Sequence, residues 1–499
     1  MRRHLLPAPV SAIFQMCIRI VGGMFIWITA LRFDPYCVPA LVCLMFAGGS
    51  DGVPVEVALE RLAAEEAVVP SVGVGASVMG AALAEAGAEL AAVDDDVAEA
   101  EAVSSQDEGA DAEAGGPEEG EGSEQDQEAS DEPTTWVSCD FSDVRFSAEF
   151  PQGRFGRCER GDDGRLILHL EPESTPINPS PWHAFTIESD EPRTIEIEIR
   201  SEHARTRYRP KISLDRTTWD VMDFESEGSS QFFTVEVGPE KIWIAGQELF
   251  DNNDYQVWLA QLEERYEHLQ RIQLGRSEED RELPALVHYG AGNEWLLLLG
   301  RQHPPEITGA MAMRTFVEAL LDTPVFSEAF LDRYNVLIAP NLNPDGVAGG
   351  HWRHNANGVD LNRDWFSLEQ AETQAVDAFI RELLDEGGEL VYGVDFHSTF
   401  RDVYYTTPGD YLDKEPDFSF DWLNMLAAAV APNPVREIPA ANPAQGNFKQ
   451  YMADTHGTHA VTYEVADDSD RMVIDLIATH AARTLMAYML VRPLPDEAD

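Results

Sequence analysis

The sequence predicts an α/β fold, a mixed open sheet with helices on both faces, preceded by a small antiparallel β-sandwich and a disordered acidic N-terminal region. Three observations predict it: an acidic first quarter, a middle part of short alternating runs, and a second half with apolar runs of strand length. The expected boundaries are 1–49 for a signal peptide or membrane anchor, 50–134 for the acidic linker, 135–250 for the sandwich and 251–493 for the α/β domain.

The opening segment has the order of features found in export signals. Two arginines near the start precede an apolar stretch from Ala12 to Leu31, a second apolar run comes after it, and Ala47-Gly-Gly49 resembles a small-residue cleavage site. We therefore expect an exported protein that is periplasmic, secreted or membrane-tethered. One alternative is a membrane anchor that is retained. Another is a cytoplasmic protein whose start has been assigned too far upstream.

The next segment is strongly acidic. Residues 51–132 contain 24 acidic residues and a single basic residue, Arg61. Such a composition cannot bury enough apolar surface to offset the entropy lost on ordering, so we expect a disordered linker. The whole chain has a formal net charge of −54, which makes nucleic acid and anionic membrane surfaces poor partners.

The sandwich is predicted from alternating patterns. Thr194 to Arg200 alternates apolar and polar residues at period two, as a half-buried strand should. Similar runs are Leu166–Leu170, Trp182–Ile187, Phe232–Val237 and Ile242–Ile244. Together they predict two small antiparallel sheets packed face to face.

Two of the five cysteines lie at the start of the sandwich. Cys139 and Cys158 are an even pair, and in an exported domain they would suit one disulfide. The alternative is two unrelated buried thiols. The other three cysteines lie within the expected signal segment.

Four apolar runs in the second half are typical of buried parallel strands, namely Trp295–Leu299, Val336–Ala339, Leu390–Phe396 and Ala460–Tyr463. Polar residues come after each run. In chain order they are His303 and Glu306, then Asn343-Pro-Asp-Gly346 with Arg353, Asp360, Asn362 and Arg363, then His397, then Glu464. Because ligands bind at the carboxyl ends of strands in open α/β sheets, we expect these side chains to meet in one crevice.

The residue types in that crevice indicate a zinc site. Two histidines and one glutamate form a known ligand set for a catalytic zinc that keeps a fourth position open, and His303, Glu306 and His397 supply it. Pro304 and Pro305 separate the first two ligands, so that segment is expected to be a loop. The sequence thus predicts one zinc ion per chain.

The ordered series HxxE, NPDG, Arg, GVDLNR, His and TYE resembles the zinc metallocarboxypeptidases, or funnelins, over roughly residues 255 to 492. The resemblance implies a zinc carboxypeptidase-like fold and zinc bound by the predicted triad. It also implies that Glu464 is the general base and that Arg353 stabilises the oxyanion. Asn362 and Arg363 would bind the substrate's terminal carboxylate. Asp360 would be the acid that fixes the orientation of a zinc-bound histidine.

These roles also make chemical sense for the residue types. A carboxylate within reach of zinc-bound water can accept its proton, which suits Glu464. A guanidinium such as that of Arg363 offers a planar fork that matches a carboxylate. An enzyme anchored in this way would cut peptides or proteins from their C-terminal end.

The layout of the two domains resembles the cytosolic carboxypeptidase subfamily and its bacterial relatives, which trim glutamates. Pro304-Pro305 departs from digestive funnelins, which usually carry an arginine there. Gly446 to Tyr451 resembles the stretch that lines the pocket for the departing side chain. We therefore interpret Lys449 as selecting acidic terminal residues. By its position upstream of Glu464, Tyr451 is interpreted as the counterpart of the family's mobile active-site tyrosine.

Two other functions are compatible with parts of the sequence. Amidohydrolases of the same fold, resembling aspartoacylase or succinylglutamate desuccinylase, also use HxxE and DLNR-type segments on small N-acyl amino acids. A non-catalytic binding module is the third interpretation, against which the complete set of ligands and base argues. The sequence leaves the natural substrate and the oligomeric state open.

Overall fold

The computed structural model describes residues 14–19, 25–30, 137–323 and 325–492. Near the N-terminus, β1 (Phe14–Arg19) pairs antiparallel with β2 (Phe25–Ala30). The rest of the expected signal or anchor segment and the whole of the expected acidic linker lie outside the described residues. Their expected character stays a prediction.

The sandwich consists of two sheets. Its strands are β3 (Ser138–Asp140), β4 (Val144–Ser147), β5 (Cys158–Arg160), β6 (Leu166–Leu170), β7 (Ala184–Ser189), β8 (Arg193–Ser201), β9 (Lys211–Ser213), β10 (Asp220–Val221), β11 (Glu225–Glu227), β12 (Ser230–Val237) and β13 (Ile242–Ala245). One sheet has the order β10-β9-β13-β7-β4-β3 and the other β11-β12-β8-β6-β5. One pair departs from the predicted antiparallel pattern, because β6 and β8 run parallel.

A disulfide joins the two sheets. Cys139 on β3 and Cys158 on β5 are bonded, 19 residues apart in the chain. Closing a loop of this length stabilises a fold by about 3 kcal/mol, mainly by restricting the unfolded chain.

The second half of the chain forms an eight-stranded sheet with helices. The strands are β14 (Leu269–Arg276), β15 (Glu282–His288), β16 (Glu294–Gly300), β17 (Asn335–Ala339), β18 (Glu389–Thr399), β19 (Val403–Thr406), β20 (Glu437–Pro439) and β21 (Ala460–Ala466). The helices are α1 (Asn252–Arg265), α2 (Ile307–Leu321), α3 (Phe326–Arg333), α4 (Pro344–Gly349), α5 (Ala371–Asp385), α6 (Phe418–Val430), α7 (Phe448–His456) and α8 (Arg471–Val491). Short 3-10 turns occupy Leu361–Arg363 and Gly409–Tyr411.

The sheet is mixed, with its parallel strands at the centre. The order is β14-β15-β17-β16-β18-β21-β19-β20, and β17, β16, β18 and β21 run parallel. Each of the four apolar runs predicted from the sequence lies within one of these strands. Their carboxyl ends therefore lie at the same edge of the sheet.

Helices cover both faces of this sheet. Leu296 and Leu298 of β16 pack with residues of α1, α2, α6 and α8, whereas Leu297 and Leu299 pack with residues of α5 and α7. A strand buried on both faces needs apolar side chains in both directions, which explains why the runs are apolar without alternation.

One described helix, α8, is long and apolar enough to cross a membrane. Its Ala481, Leu485 and Met489 are buried and belong to the core of the domain. In this fold α8 is a core helix.

Candidate active site

Three side chains of the types that bind metal ions meet at the carboxyl ends of β16 and β18. The ligand atoms of His303, Glu306 and His397 all lie within 4.8 Å of one another, and all three residues are buried. The two oxygens of the Glu306 carboxylate lie 2.9 Å from His303 Nδ1 and 2.9 Å from His397 Nδ1. Both imidazoles therefore face one point with their Nδ1 atoms.

The local backbone explains how Glu306 reaches the two histidines. Glu306 directly precedes α2, and its side chain makes no capping hydrogen bond with that helix, so its carboxylate is directed at the histidines. The first turn of α2 packs against β18 at Gly309. The two backbones come so close there that any side chain at position 309 would clash, since its Cβ would lie 2.4 Å from the carbonyl oxygen of His397. The backbone N–H of Gly309 donates to the hydroxyl of Ser398 at 2.8 Å. This close approach brings Glu306 and His397 together.

The other nitrogen of each histidine is held by a carboxylate. His303 Nε2 lies 2.8 Å from Asp360 Oδ1, and His397 Nε2 lies 2.8 Å from Asp395 Oδ2. A carboxylate on the outer nitrogen fixes the ring and leaves Nδ1 as the metal-binding atom. The position of Asp360 is the one expected from the sequence.

Asp395 is a functional residue that the sequence analysis missed. Its Oδ2 also accepts a hydrogen bond from Gln302 Nε2 at 2.7 Å, and Gln302 Oε1 accepts one from Trp365 Nε1 at 2.9 Å. Asp395 is the one carboxylate within the apolar run Leu390–Phe396, and it lies on the same side of β18 as His397. A lone carboxylate in a buried strand, two residues before a predicted zinc ligand, was the sequence feature that could have identified Asp395.

The donor set fits zinc. Two imidazole nitrogens and a carboxylate oxygen form the ligand set of an open catalytic zinc site, and the outer nitrogen of each histidine has a carboxylate partner. Burial opposes the charge of Glu306, but His303 and His397 outweigh it and lower the pKa of Glu306 below its usual range. Glu306 is therefore ionised and can bind a cation.

Glu464 lies beside the triad. It is the register partner of His397 in the parallel pair β18 and β21, so both side chains point to the same face. Burial, with a smaller contribution from the charge of Glu306, raises the pKa of Glu464 to about 7. Its Oε2 is buried and has no hydrogen-bond partner among the described residues. A carboxylate with this pKa can both accept and release a proton near neutral pH.

Arg353 is connected to the triad through Asp360. Its Nε donates to Asp360 Oδ2 at 2.7 Å, while the other oxygen of Asp360 holds His303. Burial raises the pKa of a carboxyl group, but Arg353 and His303 lower that of Asp360 well below its usual range. The side chain of Arg353 is 29% exposed, which leaves it access to the crevice.

Asn362 and Arg363 come next in the same loop. Asn362 is buried, and its Oδ1 accepts the backbone N–H of Phe448 at 3.1 Å. Arg363 is exposed, and its Nη1 donates to the carbonyl of Asn362 at 2.9 Å. No ion pair joins Arg363 to a carboxylate of the described residues.

Lys449 lies next to this loop. Gly446, three residues before Lys449, packs closely against the backbone of Arg363. A Cβ atom at position 446 would lie only 2.5 Å from the Arg363 carbonyl oxygen. Lys449 is 3% exposed, and its Nζ donates to the carbonyls of Thr406 and Ala440. Burial lowers the pKa of Lys449 to about 8.

The interpretation of Tyr451 needs correction. Tyr451 is buried, packs against Trp365, and donates from its hydroxyl to Asp377 Oδ1 at 2.6 Å on α5. A side chain held in the core by packing and by this hydrogen bond cannot act as a mobile tyrosine at the crevice. It has a packing role.

The sandwich contributes Arg207 to the edge of the site. Its Nη2 donates to the carbonyl of Ser398, next to His397, at 2.9 Å, and its Nε donates to Asp467 Oδ2 at 2.8 Å. The sequence analysis did not identify Arg207. Its partners lie about 190 or more residues away in the chain, so no short sequence motif contains both Arg207 and a partner.

Comparisons with known proteins relate part of this chain to zinc carboxypeptidases. Residues 255–484 match the family model of the zinc carboxypeptidases, Peptidase_M14. Cytosolic carboxypeptidase 6 of Mus musculus is 24% identical over 252 residues, which are 44% of this chain and 46% of that protein. The Homo sapiens protein of the same name is 25% identical over 247 residues, 44% and 49% of the two chains. The chain thus spans about half the length of these curated relatives.

Two solved structures share the fold. A metallo-carboxypeptidase from Burkholderia cenocepacia has a TM-score of 0.60 at 16% identity, covering 69% of this chain and 99% of that chain. One from Pseudomonas aeruginosa, in complex with (2-guanidinoethylmercapto)succinic acid, has a TM-score of 0.57 at 20% identity, covering 69% and 98%. The predicted mixed α/β fold is confirmed.

Proposed function

We propose that the protein removes C-terminal residues from peptides or proteins by attack of a water molecule, on the premise that residues 255–484 match the zinc carboxypeptidase family. The observation that carries the proposal is the meeting of His303, Glu306 and His397 beside Glu464 at one edge of the sheet.

The residues divide the chemistry among them. The triad would hold one zinc ion, which when bound lowers the pKa of a water molecule and polarises the scissile carbonyl. Glu464 accepts the proton of the attacking water and delivers it to the leaving amine. Arg353 donates hydrogen bonds to the carbonyl oxygen as negative charge develops on it. Asp360 and Asp395 keep the two histidines in the orientation that binds metal.

Arg363 would make the enzyme an exopeptidase. Its guanidinium forms no direct ion pair with a carboxylate of the described residues and can pair with the terminal carboxylate of a substrate. Amidation of the substrate's C-terminus should therefore lower kcat/KM by about tenfold to a hundredfold, the worth of a charge-assisted hydrogen-bond pair. Rates are measured on one peptide as free acid and as amide, and on an N-acyl amino acid.

The variant Arg363→Met should lose this discrimination, because the charged anchor is gone. Arg381→Met, which changes an exposed arginine of α5, serves as the control and should discriminate as the unchanged protein does. Equal rates on free acid and amide in the unchanged protein would point to an endopeptidase. Preference for the N-acyl amino acid would point to the amidohydrolase.

Lys449 is proposed to select acidic terminal side chains. The buried ammonium is held by two carbonyls, has no ion pair with a described carboxylate, and lies in the segment packed on the Arg363 loop. A carboxylate that entered the pocket would pair with a cation already stripped of most water.

Lys449→Ala should lower kcat/KM about tenfold or more for a peptide ending in Glu and leave matched peptides ending in Leu and Lys nearly unchanged. Lys414→Ala, at an exposed lysine, is the control. Because the pKa of Lys449 is about 8, the preference for Glu should be present below pH 8 and fall above it. An unchanged order of preference in the variant would remove Lys449 from the pocket.

Export remains part of the proposal. The Cys139–Cys158 disulfide is a feature of proteins that fold in an oxidising compartment, which supports the signal segment inferred from residues 1–49.

A further inference from the structure

We propose that Glu173 of the β-sandwich is a positioning residue for the reaction, holding the loop that carries Arg353. The inference rests on the proposed function, in which Arg353 stabilises the developing oxyanion. It gives the sandwich a part in positioning Arg353, in addition to the contact that Arg207 makes at the edge of the site.

The contact is made through two successive backbone groups. Glu173, in the loop after β6, accepts at Oε1 from the backbone N–H of Arg353 at 3.0 Å and from that of His354 at 3.3 Å. A single carboxylate oxygen thus serves two adjacent N–H groups, the first of them 180 residues further along the chain. Backbone groups of a loop need such partners, since an unpaired buried N–H is costly.

Further residues of the same sandwich loop hold this contact in place. Asn178 Nδ2 donates to Glu173 Oε1 at 2.5 Å and lies 3.3 Å from His354 Nδ1. Ser174 Oγ lies 2.6 Å from the same imidazole nitrogen. The loop between β6 and β7 therefore contacts the Arg353 loop both at its backbone N–H groups and at the side chain of His354.

Glu173 is ionised in this position. Burial raises the pKa of a carboxyl group, but nearby His351 and the N–H of Arg353 more than offset it, and the pKa of Glu173 falls to about 2. Hydrogen bonds to an ionised acceptor are roughly twice as strong as neutral ones, so the carboxylate is an effective clamp.

The clamp at Glu173 acts on a loop that is also tied to the metal site. Arg353 donates from Nε to Asp360, and Asp360 holds His303. The backbone anchor at Glu173 and the side-chain anchor at Asp360 together fix the direction of the guanidinium. Loss of either anchor loosens this orientation, and a displacement of about 1 Å can cost about a hundredfold in rate.

Two replacements of Glu173 distinguish the effect of its side-chain length from the effect of its charge. Glu173→Asp keeps the charge but withdraws the carboxylate by one methylene, whereas Glu173→Gln keeps an acceptor oxygen at the original distance. We expect Glu173→Asp to lower kcat about tenfold or more, with KM changed less than about twofold. Glu173→Gln keeps the acceptor in place but weakens its hydrogen bonds, so it should lower kcat less than Glu173→Asp does, by no more than about threefold. Zinc content and Tm are measured for each, and Glu171→Asp, at a partly exposed residue of the same loop, is the control.

A double-mutant cycle with Arg353→Ala tests whether Glu173 acts through Arg353. If it does, Glu173→Asp should change kcat less than about twofold once the Arg353 side chain is absent, because coupled residues are not additive. The same loss in both backgrounds, or an unchanged kcat in Glu173→Asp, would overturn the inference. Should Glu173→Asp fail to fold, Asn178→Ala takes its place in the cycle with the same expected and contrary outcomes.

The cycle also separates this inference from the proposed function. Arg353→Ala alone should lower kcat about a hundredfold or more, as loss of an oxyanion donor does. If Arg353→Ala has no effect, the proposed role of Arg353 is wrong, and the inference falls with it. If Arg353→Ala is impaired and Glu173→Asp is not, only the inference is wrong.

Discussion

Replacing Glu464 with glutamine should lower kcat by about 10² to 10⁴-fold while the protein keeps a full complement of zinc. The amide has nearly the same shape as the carboxylate but cannot accept the proton of the attacking water. Glu464 is the register neighbour of His397 and is outside the ligand set, so the metal site should stay intact. The measurement is kcat on a free-acid peptide together with zinc per chain by elemental analysis.

Glu382→Gln, at an exposed position of α5, is the matched control and should retain full kcat. Loss of zinc from Glu464→Gln would make Glu464 a ligand, and a normal kcat would assign the base to another residue. Either result would contradict the division of roles between Glu464 and the triad.

Replacing His397 with alanine should remove zinc and reduce turnover to the background rate. The change deletes one of three protein ligands and also leaves Asp395 without its imidazole partner. An incomplete ligand set cannot retain the metal through dialysis, since catalytic sites have only three protein ligands at the outset. Zinc per chain after dialysis is the direct measurement, with kcat as the second.

His203→Ala, which changes an exposed histidine of the sandwich, should keep both zinc and activity. Stoichiometric zinc and normal turnover in His397→Ala would contradict the ligand assignment. Because the readout includes metal content, the result does not depend on which peptide the enzyme prefers.

The sequence was sufficient for features that depend on short stretches of chain. The run Leu390–Phe396 predicted a strand because a buried parallel strand must be apolar on both sides, and β18 extends over it. His303 and Glu306 were recognisable because both come after one strand, and their meeting with His397 was expected because parallel strands end at one edge of a sheet.

Features that depend on distant contacts could not be predicted in the same way. Glu173 resembles any other glutamate of an acidic chain until its loop is placed against Arg353. Gln302 acquires its role only through Asp395 and Trp365, which lie on other elements. Tyr451 was misassigned because its distance from Glu464 in the chain fitted a family pattern, whereas the fold turns its side chain toward α5.

The bond between Cys139 and Cys158 also affects how the sandwich meets other molecules. Among the strands of the described residues, β3 and β5 are the outermost of their sheets on that side, so each has one backbone edge that is not paired with another of these strands. Exposed edges are templates on which a strand from another chain can add, and they are a common start of aggregation. The disulfide holds these two edge strands close to each other, so that less space is left for a strand from another chain to pair with either of them. Reduction of this bond would free two adjoining sites for such unwanted strand pairing.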